Sequence, residues 1–385
     1  MKILYASTVN IGTKKGSSVH FLNLARALQS RGHEVVVVAL GRPACGNANG
    51  LKVYSVPKIM ASKATTLLTD LLLGLTIFRL TVTTRFDVLY HRGIALANRW
   101  ACLFGIPSIT EVNGIQVDEF RAAGMSELGL RLYRYREKQI VTNARRVICV
   151  TEGIRDQLVG RYAAPHDQCI VLPNAADTVL FRPRPKMKCQ EQVGLIPENY
   201  NIGFVGAFQP WVDFDSLLRA VQILRNQNVP VRCTFLGDGD RYQEVKQQVK
   251  QHQLTERVQL IGYVPHKMVP CWIGAFDVCV APFTRARNEL IGLSPLKLFE
   301  YMACARPVVA AALPGTIEPV ETAQSGLLYP VEDTNALAQC LLSLCRDVSL
   351  GEAMGARGRE YVVKHHRWDS VAERIEAVIL ELLTE

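Results

Sequence analysis

Two doubly wound α/β domains are predicted from three observations. Short, continuous, β-branched apolar runs alternate with segments of helical periodicity. A Pro-rich basic stretch, Phe181-Arg182-Pro183-Arg184-Pro185-Lys186, breaks that alternation near the middle of the chain. The alternation then starts again. At 385 residues the chain is long enough for two or three domains with ample core.

Taken in order, Lys2–Ser7 reads as the first strand. Phe21, Leu24, Ala25 and Leu28 then fall at i, i+3, i+4 and i+7, one face of a helix. Arg31-Gly32-His33 ends that helix. Val35–Leu40 is an unalternated run that suits a parallel strand covered on both faces. Asp87–Arg92, Ser108–Asn113, Arg146–Thr151 and Cys169–Asn174 read as further strands. Ile94–Phe104, Leu128–Thr142 and Gly153–Tyr162 read as the helices between them. After the break, strands are expected at Asn201–Gly206, Val231–Gly237, Val258–Gly262, Asp277–Pro282 and Pro307–Ala311. Helices are expected at Ser216–Arg225 and Tyr242–His252, and the last ~50 residues read as nearly all helical. Ligands of such sheets bind beyond the carboxyl ends of the strands, so the cleft between two facing domains is the expected site.

Composition narrows the class. Apolar residues make up 49% and charged residues 21%, which excludes a disordered or collagen-like chain. The 11 cysteines form no CxxC pair, and the closest pairs, Cys340/Cys345 and Cys271/Cys279, have no His beside them. That pattern argues against a zinc site and a disulfide framework, and for reduced buried thiols. The net charge is 44 − 35 = +9, unevenly spread. Residues 1–182 hold 23 Lys/Arg against 12 Asp/Glu, a net +11, and residues 183–385 hold 21 against 23, a net −2. Such an excess fits an anionic membrane surface, an anionic substrate or nucleic acid; solubility charge is the competing reading. No targeting segment is visible, and a cytoplasmic location is expected. The stretch Ala64–Phe78 is apolar but short of the ~20 residues that span a bilayer, and it contains Asp70. With Lys58, Lys63 and Arg79 flanking it, it reads as an interfacial helix on the inner face of the membrane or as a core helix.

One stretch carries chemistry most clearly: Gly292-Leu293-Ser294-Pro295-Leu296-Lys297-Leu298-Phe299-Glu300. Ser294 suits an N-cap and Pro295 a first helical residue. Lys297 would then stand in the first turn, where the helix dipole disfavours a cation unless an anion occupies that end. Glu300 lies one turn on; a surface Lys–Glu pair is the plain alternative. A second signal is the loop Asn10-Ile11-Gly12-Thr13-Lys14-Lys15-Gly16-Ser17-Ser18 between first strand and first helix. It matches neither GxGxxG nor the P-loop, so neither dinucleotide nor Walker-type binding is supported. His20, on the helix that follows, suits ligand contact, packing or capping equally. His365-His366 read as surface residues rather than metal ligands, and Asp213-Phe214-Asp215 reads as a helix cap rather than a metal-binding Asp-x-Asp.

These stretches, taken together, resemble glycosyltransferase family four. The opening from Lys2 to Val38, the strand Phe86–Arg92, Gly105-Ile106-Pro107 and Glu111-Val112-Asn113-Gly114 resemble its acceptor-side elements. Leu172–Asp177 with Phe181, Phe204-Val205-Gly206, Leu236-Gly237-Asp238-Gly239 and the Ser294–Ala311 run, of SPLK type, follow in the family's order as far as about residue 370. The resemblance implies a GT-B fold of two Rossmann-like domains facing a central cleft. It places an acceptor domain at 1–182, a linker at 183–200 and a donor domain at 201–366, with a final helix (about 367–385, including Trp368) returning to the first domain. It implies a retaining transferase that moves a sugar from a UDP- or GDP-sugar to a polysaccharide, lipid-linked or other cell-surface glycan acceptor. No resident cofactor, metal or nucleic-acid partner is implied; an anionic membrane surface is a further expected partner. Lys297, with Arg92 and Asn113, would be catalytic. Gly16, Ser17, Gly206, Trp211, Gly237, Tyr263, Val264, Ser294, Leu296, Lys297 and Glu300 would bind the donor. Lys297 and the helix N-terminus would meet the diphosphate, and Glu300 the ribose hydroxyls. His20, Arg92 and Asn113 would face the acceptor.

The sequence departs from the family pattern in four places. Gly292 stands where a first Glu is common, eight positions before Glu300. Ala207 replaces a phosphate Arg, Trp211 stands near a usual Lys, and Asn113 replaces a usual His. These losses would leave Lys297 more of the phosphate charge, with Arg285 or Arg287 as helpers. A degenerate, non-catalytic partner protein and a sugar-nucleotide epimerase are the alternative readings.

Overall fold

The computed structural model describes the chain except residues 14, 15, 42, 43, 49, 58–62 and 123, and describes only the backbone at 44–48, 63–67 and 122. Lys14 and Lys15 of the glycine-containing loop, Lys58, and the Lys63 side chain therefore lie outside the described residues. The chain forms two compact units. One comprises Met1–Pro173 with Trp368–Glu385, and the other Asn174–Arg367.

In the first unit the elements run β1 (Lys2–Asn10), α1 (Gly16–Ser30), β2 (Glu34–Gly41), β3 (Ala44–Ala48), β4 (Leu51–Pro57) and α2 (Lys63–Thr83). Then come β5 (Val88–Arg92), α3 (Ala95–Leu103), β6 (Ser108–Val112), α4 (Gln116–Ala122), α5 (Glu127–Thr142), β7 (Arg146–Cys149), α6 (Glu152–Tyr162) and β8 (Cys169–Val171). The strand order is β3-β4-β2-β1-β5-β6-β7-β8. Every pairing is parallel except β3–β4, an antiparallel edge that the apolar runs did not announce. Its residues, ACGNA, are small and form no long apolar run. Between β1 and β5 the winding reverses, which makes the carboxyl ends of β1, β5 and β6 the ligand end of this sheet.

The apolar stretch around Leu72 is one helix, α2, with Leu73, Ile77 and Leu80 buried against Leu4, Val36 and Leu89 of the sheet. Asp70 is buried too. It accepts from the Ala95 N–H at the start of α3 (3.2 Å) and pairs with Arg136 of α5 at 3.2 Å. A carboxylate within an apolar helix is thereby both capped and neutralised. One face of α2 is thus core, as the competing sequence reading holds. Among the described residues, no helix is long and apolar enough to cross a membrane.

The second unit runs α7 (Lys186–Val193), β9 (Tyr200–Val205), α8 (Phe214–Asn226), β10 (Val231–Leu236), α9 (Tyr242–Gln251), β11 (Val258–Gly262), α10 (Val269–Ala275) and β12 (Val278–Ala281). It continues α11 (Ala286–Ile291), α12 (Leu296–Ala303), β13 (Val308–Ala311), α13 (Ile317–Ala323), β14 (Gly326–Tyr329), α14 (Thr334–Arg346) and α15 (Val348–His365). The stretch 183–200, read as a linker, thus contains a helix, α7, which packs on α10 through Cys189. The sheet order is β11-β10-β9-β12-β13-β14, all parallel, with its switch point between β9 and β12. Phe204, Phe208, Phe214 and Phe235 pack ring on ring behind it. The final helix, α16 (Trp368–Thr384), belongs to the first unit, where it lies on α1. The ten cysteines whose side chains are described are free, most of them buried.

Candidate active site

In the second unit the site is built where β9 and β12 end. Lys297, in the first turn of α12, points its ammonium over the Phe204 ring at 4.1 Å and the Phe283 ring at 5.4 Å. Cation–π contact holds it there. Burial pushes its pKa down to about 7, against a smaller raising effect from Glu300. Gly206 makes the room: a Cβ there would lie 2.7 Å from Lys297 Nζ and 2.8 Å from Cε, at a φ of +147°. Gly237 is required for a similar reason, since its Cβ would fall 2.0 Å from the Gly206 carbonyl oxygen. The Gly206 N–H donates to Leu236 O at 2.9 Å and the Gly237 N–H to Gly262 O at 2.8 Å, so the ends of β9, β10 and β11 are tied together.

The cap of α12 differs from the sequence expectation. Pro295 takes the N-cap position with extended φ, ψ of −81° and 116°, the helix starts at Leu296, and no side chain caps it. Ser294 is drawn elsewhere: its hydroxyl accepts from the Asn174 N–H at 2.7 Å, and its carbonyl accepts from Asn174 Nδ2 at 2.6 Å. The Leu298 N–H turns back to Pro295 O at 3.0 Å, which leaves those of Leu296 and Lys297 for another acceptor. The helix is seated by Tyr301, whose buried hydroxyl accepts from the Val205 N–H (2.7 Å) and faces the Val205 carbonyl (3.1 Å). Glu300 is mostly covered, one turn from Lys297. His266 Nε2, which has no hydrogen-bond partner among the described residues, stands 3.9 Å from its Oε1. Nothing in the sequence marks His266, whose ring packs edge-on against Phe181 with centroids 5.4 Å apart.

The other donor candidates are more dispersed. Trp211 stacks under the Arg287 guanidinium at 5.0 Å, and its carbonyl accepts from Asn288 Nδ2 at 3.2 Å. Arg285 is spent in an exposed pair with Glu289. Tyr263 and Val264 directly follow β11, with Tyr263 exposed. Gly292 has φ 70° and ψ 179°, a region open essentially to glycine alone, so the missing Glu is built into the backbone there. Asp213 caps α8 through Ser216 N–H (3.0 Å) and Asp215 meets Arg241 (3.0 Å), as the cap reading of that pair expects.

The first unit gathers its candidates around a residue the sequence reading did not single out. Glu111, at the carboxyl end of β6, is buried. Its Oε1 meets His20 Nε2 at 3.1 Å, Arg92 Nε at 3.2 Å and Asn113 Nδ2 at 2.6 Å; its Oε2 accepts from Tyr90 Oη at 2.5 Å. Burial alone would raise its pKa, but the charges of His20 and Arg92 with the bonds from His20 and Asn113 hold it well below the usual carboxylate range. All three acceptor candidates, His20, Arg92 and Asn113, are thus oriented by one carboxylate. The His20 ring also rests 4.8 Å from the Trp368 ring of α16. Arg92 Nη1 reaches the Ser17 carbonyl at 3.5 Å, and Gly16 opens α1 just before it. A cavity of about 270 Å³ borders the cluster, lined by Ser7, Ser17, Arg92, Glu111, Asn113 and Gln116 among others. Its size is near the lower end of small-ligand pockets, ~300 Å³. Glu111 was legible only as an acid inside a short strand rich in β-branched residues, SITEV. Of the remaining histidines, His366 stacks on Phe299 with ring centroids 4.1 Å apart.

Two parallel-sheet units with ligand ends of this kind are the GT-B architecture of glycosyltransferases. The chain superposes on sucrose-phosphate synthase from Thermosynechococcus elongatus with a TM-score of 0.82 at 18% identity, covering all of both chains. It superposes on the HepE protein of Anabaena, solved with UDP-glucose, with a TM-score of 0.76 at 19% identity, covering 100% of this chain and 99% of that one. Residues 14–180 match the model of Glycosyltransferase Family 4, and residues 199–347 that of Glycosyl transferases group 1. A D-inositol 3-phosphate glycosyltransferase of Actinosynnema mirum is 28% identical over 252 residues, 63% of this chain and 58% of that protein. The matches span 58–63% of the length of the first curated relatives. The chain thus matches two glycosyltransferase models in succession, the first that of Family 4, on a fold of GT-B type.

Proposed function

We propose that this chain transfers a sugar, with retention of anomeric configuration, from a nucleoside-diphosphate sugar to a glycan or lipid-linked acceptor presented at an anionic membrane surface. One observation carries the reading: a lysine ammonium in the uncapped first turn of α12, resting on two rings instead of a carboxylate, with Glu300 one turn further on. An anion at that helix end would satisfy the free N–H groups, the dipole and the ammonium together. As the bond from anomeric carbon to phosphate oxygen breaks, charge grows on the diphosphate. Lys297 and the α12 N–H groups would stabilise it, a preorganised electrostatic contribution. Glu300 offers two acceptor oxygens to vicinal ribose hydroxyls. In the first unit, Glu111 would fix Arg92, Asn113 and His20 as donors toward acceptor hydroxyls along the cavity. A uridine nucleotide is the first candidate because HepE was solved with UDP-glucose. The test is a thermal-shift panel of UDP-, GDP-, ADP- and TDP-sugars, followed by calorimetry and a donor-hydrolysis assay. A ligand at about 100-fold its Kd should stabilise by ~2.7 kcal/mol. No shift with any of the four would refute the donor site.

A further inference from the structure

The outer faces of three helices in the first unit are apolar and basic together. α2 turns Leu73 and Ile77 into the core and leaves Leu68, Leu71, Leu75 and Val82 exposed on the opposite side. α3 packs closely beside it: a Cβ on Gly74 would lie 2.7 Å from Leu96 Cδ1, and Phe78 meets the Trp100 and Phe104 rings. α3 ends on Leu103, also exposed. α5 packs against α3 in turn. It buries Leu130, Tyr133 and Ile140 and exposes Leu128, Leu132 and Tyr135, spaced i, i+4 and i+7. Among the described residues, 17 large hydrophobic side chains are exposed, and 8 of them lie on these three helices. The three helices make up only 46 residues (21 + 9 + 16), so the clustering is not a general property of the surface.

Charge follows the same faces. Arg79, Arg99, Arg131, Arg134 and Lys138 are exposed there. Among the described residues none of the five forms an ion pair. Of the acids on these helices, Asp70 and Glu137 are buried, and Glu127 alone is exposed. Exposed apolar side chains on three helices packed side by side, with cations that form no ion pair among the described residues and a single exposed acid, match a surface that is greasy below and negative above.

We propose that the outer faces of α2, α3 and α5 lie on an anionic lipid bilayer. Leu128, Leu132 and Tyr135 enter the boundary between headgroups and acyl chains, and Arg131, Arg134 and Lys138 meet lipid phosphates. This deepens the membrane reading above, yet flotation does not depend on sugar transfer, so the two fail separately. The full chain is floated with phosphatidylcholine vesicles and with vesicles of equal parts phosphatidylcholine and phosphatidylglycerol, at low and high salt. It should float with the anionic vesicles alone, and less at high salt. The variant R131E/R134E/K138E should lower the partition coefficient at least on the order of a hundredfold, since each basic residue near such a surface contributes roughly fivefold and the added carboxylates are repelled. The variant L128S/L132S/Y135S should also lose binding. Thermal melting and UDP titration check that both variants are folded. If wild type fails to float with anionic vesicles, or both variants float like wild type, the proposal is wrong. A wild-type dimer that becomes monomeric in L128S/L132S/Y135S and does not float would show that a second copy covers this face, and would equally overturn it. Flotation without UDP binding would count only against the donor reading.

Discussion

Lys297 and Glu300 sit one turn apart and should be separable by kinetics. On the proposed reading Lys297 would face charge that grows during the reaction, so its interaction would be stronger in the transition state than in the ground state. Removing one such donor costs ~2.7–4 kcal/mol, roughly 100- to 1000-fold in turnover. Glu300 would hold ribose hydroxyls remote from the breaking bond, where a charged hydrogen bond is worth ~1.5–3 kcal/mol in both states. Lys297→Ala should therefore lower kcat, and Glu300→Gln should mainly raise the donor KM. A Glu300→Gln enzyme with intact donor binding and no turnover would instead make that carboxylate catalytic. Lys297 also predicts a pH profile. Burial holds its pKa near 7, so a diphosphate seated there, UDP being the first candidate, would bind a form that is lost as pH rises through 7. A bound diphosphate raises that pKa, so binding takes up a proton above pH 7 and affinity falls by up to about tenfold per pH unit until the pKa of the complex is reached. Below pH 7 this effect is flat. Calorimetric titration with UDP from pH 6 to about pH 9 tests it, and Lys297→Met should remove the slope. A slope that persists in Lys297→Met would assign the proton to another group.

At the scale of elements, α12 is the one that must be placed well, and Tyr301 seats it. Its hydroxyl bridges the Val205 N–H and carbonyl in a fully buried setting. Tyr301→Phe leaves a buried N–H without a partner, which costs ~1–3 kcal/mol. The expected result is a lower Tm together with weaker UDP binding, since Val205 precedes Gly206 and the Lys297 pocket. An unchanged Tm would mean that water or a backbone shift satisfies Val205. This helix also shows what a sequence can convey. Its existence, its apolar face and the Lys-to-Glu spacing were legible from Ser294 to Ala303. Its cap was not, because Asn174, 120 residues away, claims the Ser294 hydroxyl. Propensity ranks the candidates for a cap but cannot see a distant competitor. The β3–β4 hairpin was missed for a related reason: an edge strand needs no apolar run. Glu111 was passed over because a buried acid is recognised by its partners, and Tyr90, His20, Arg92 and Asn113 converge only in the fold.

At the scale of the whole molecule, the alternation of strands and helices reported two sheets, while the ownership of the last helix came from resemblance rather than periodicity. α16 follows the second unit in sequence but completes the first. It buries Trp368, Ile375 and Ile379, and Glu376 meets Arg31 at 2.5 Å and His33 at 3.2 Å. Full burial of such side chains is worth ~1.5–3 kcal/mol each. Three of them approach the ~5–15 kcal/mol that stabilises an ordinary domain. The loss would fall on α1, against which α16 packs, and on His20, which loses the Trp368 ring. A chain ending at Arg367 should therefore lose the cooperative melting of the first unit. The second unit has its own core, its own sheet and the Lys297 site, so it should keep a melting transition that UDP raises. Scanning calorimetry of the shortened chain with and without UDP decides this. Two intact transitions would show that α16 is dispensable to the first unit, and loss of both would show that the two units do not fold independently.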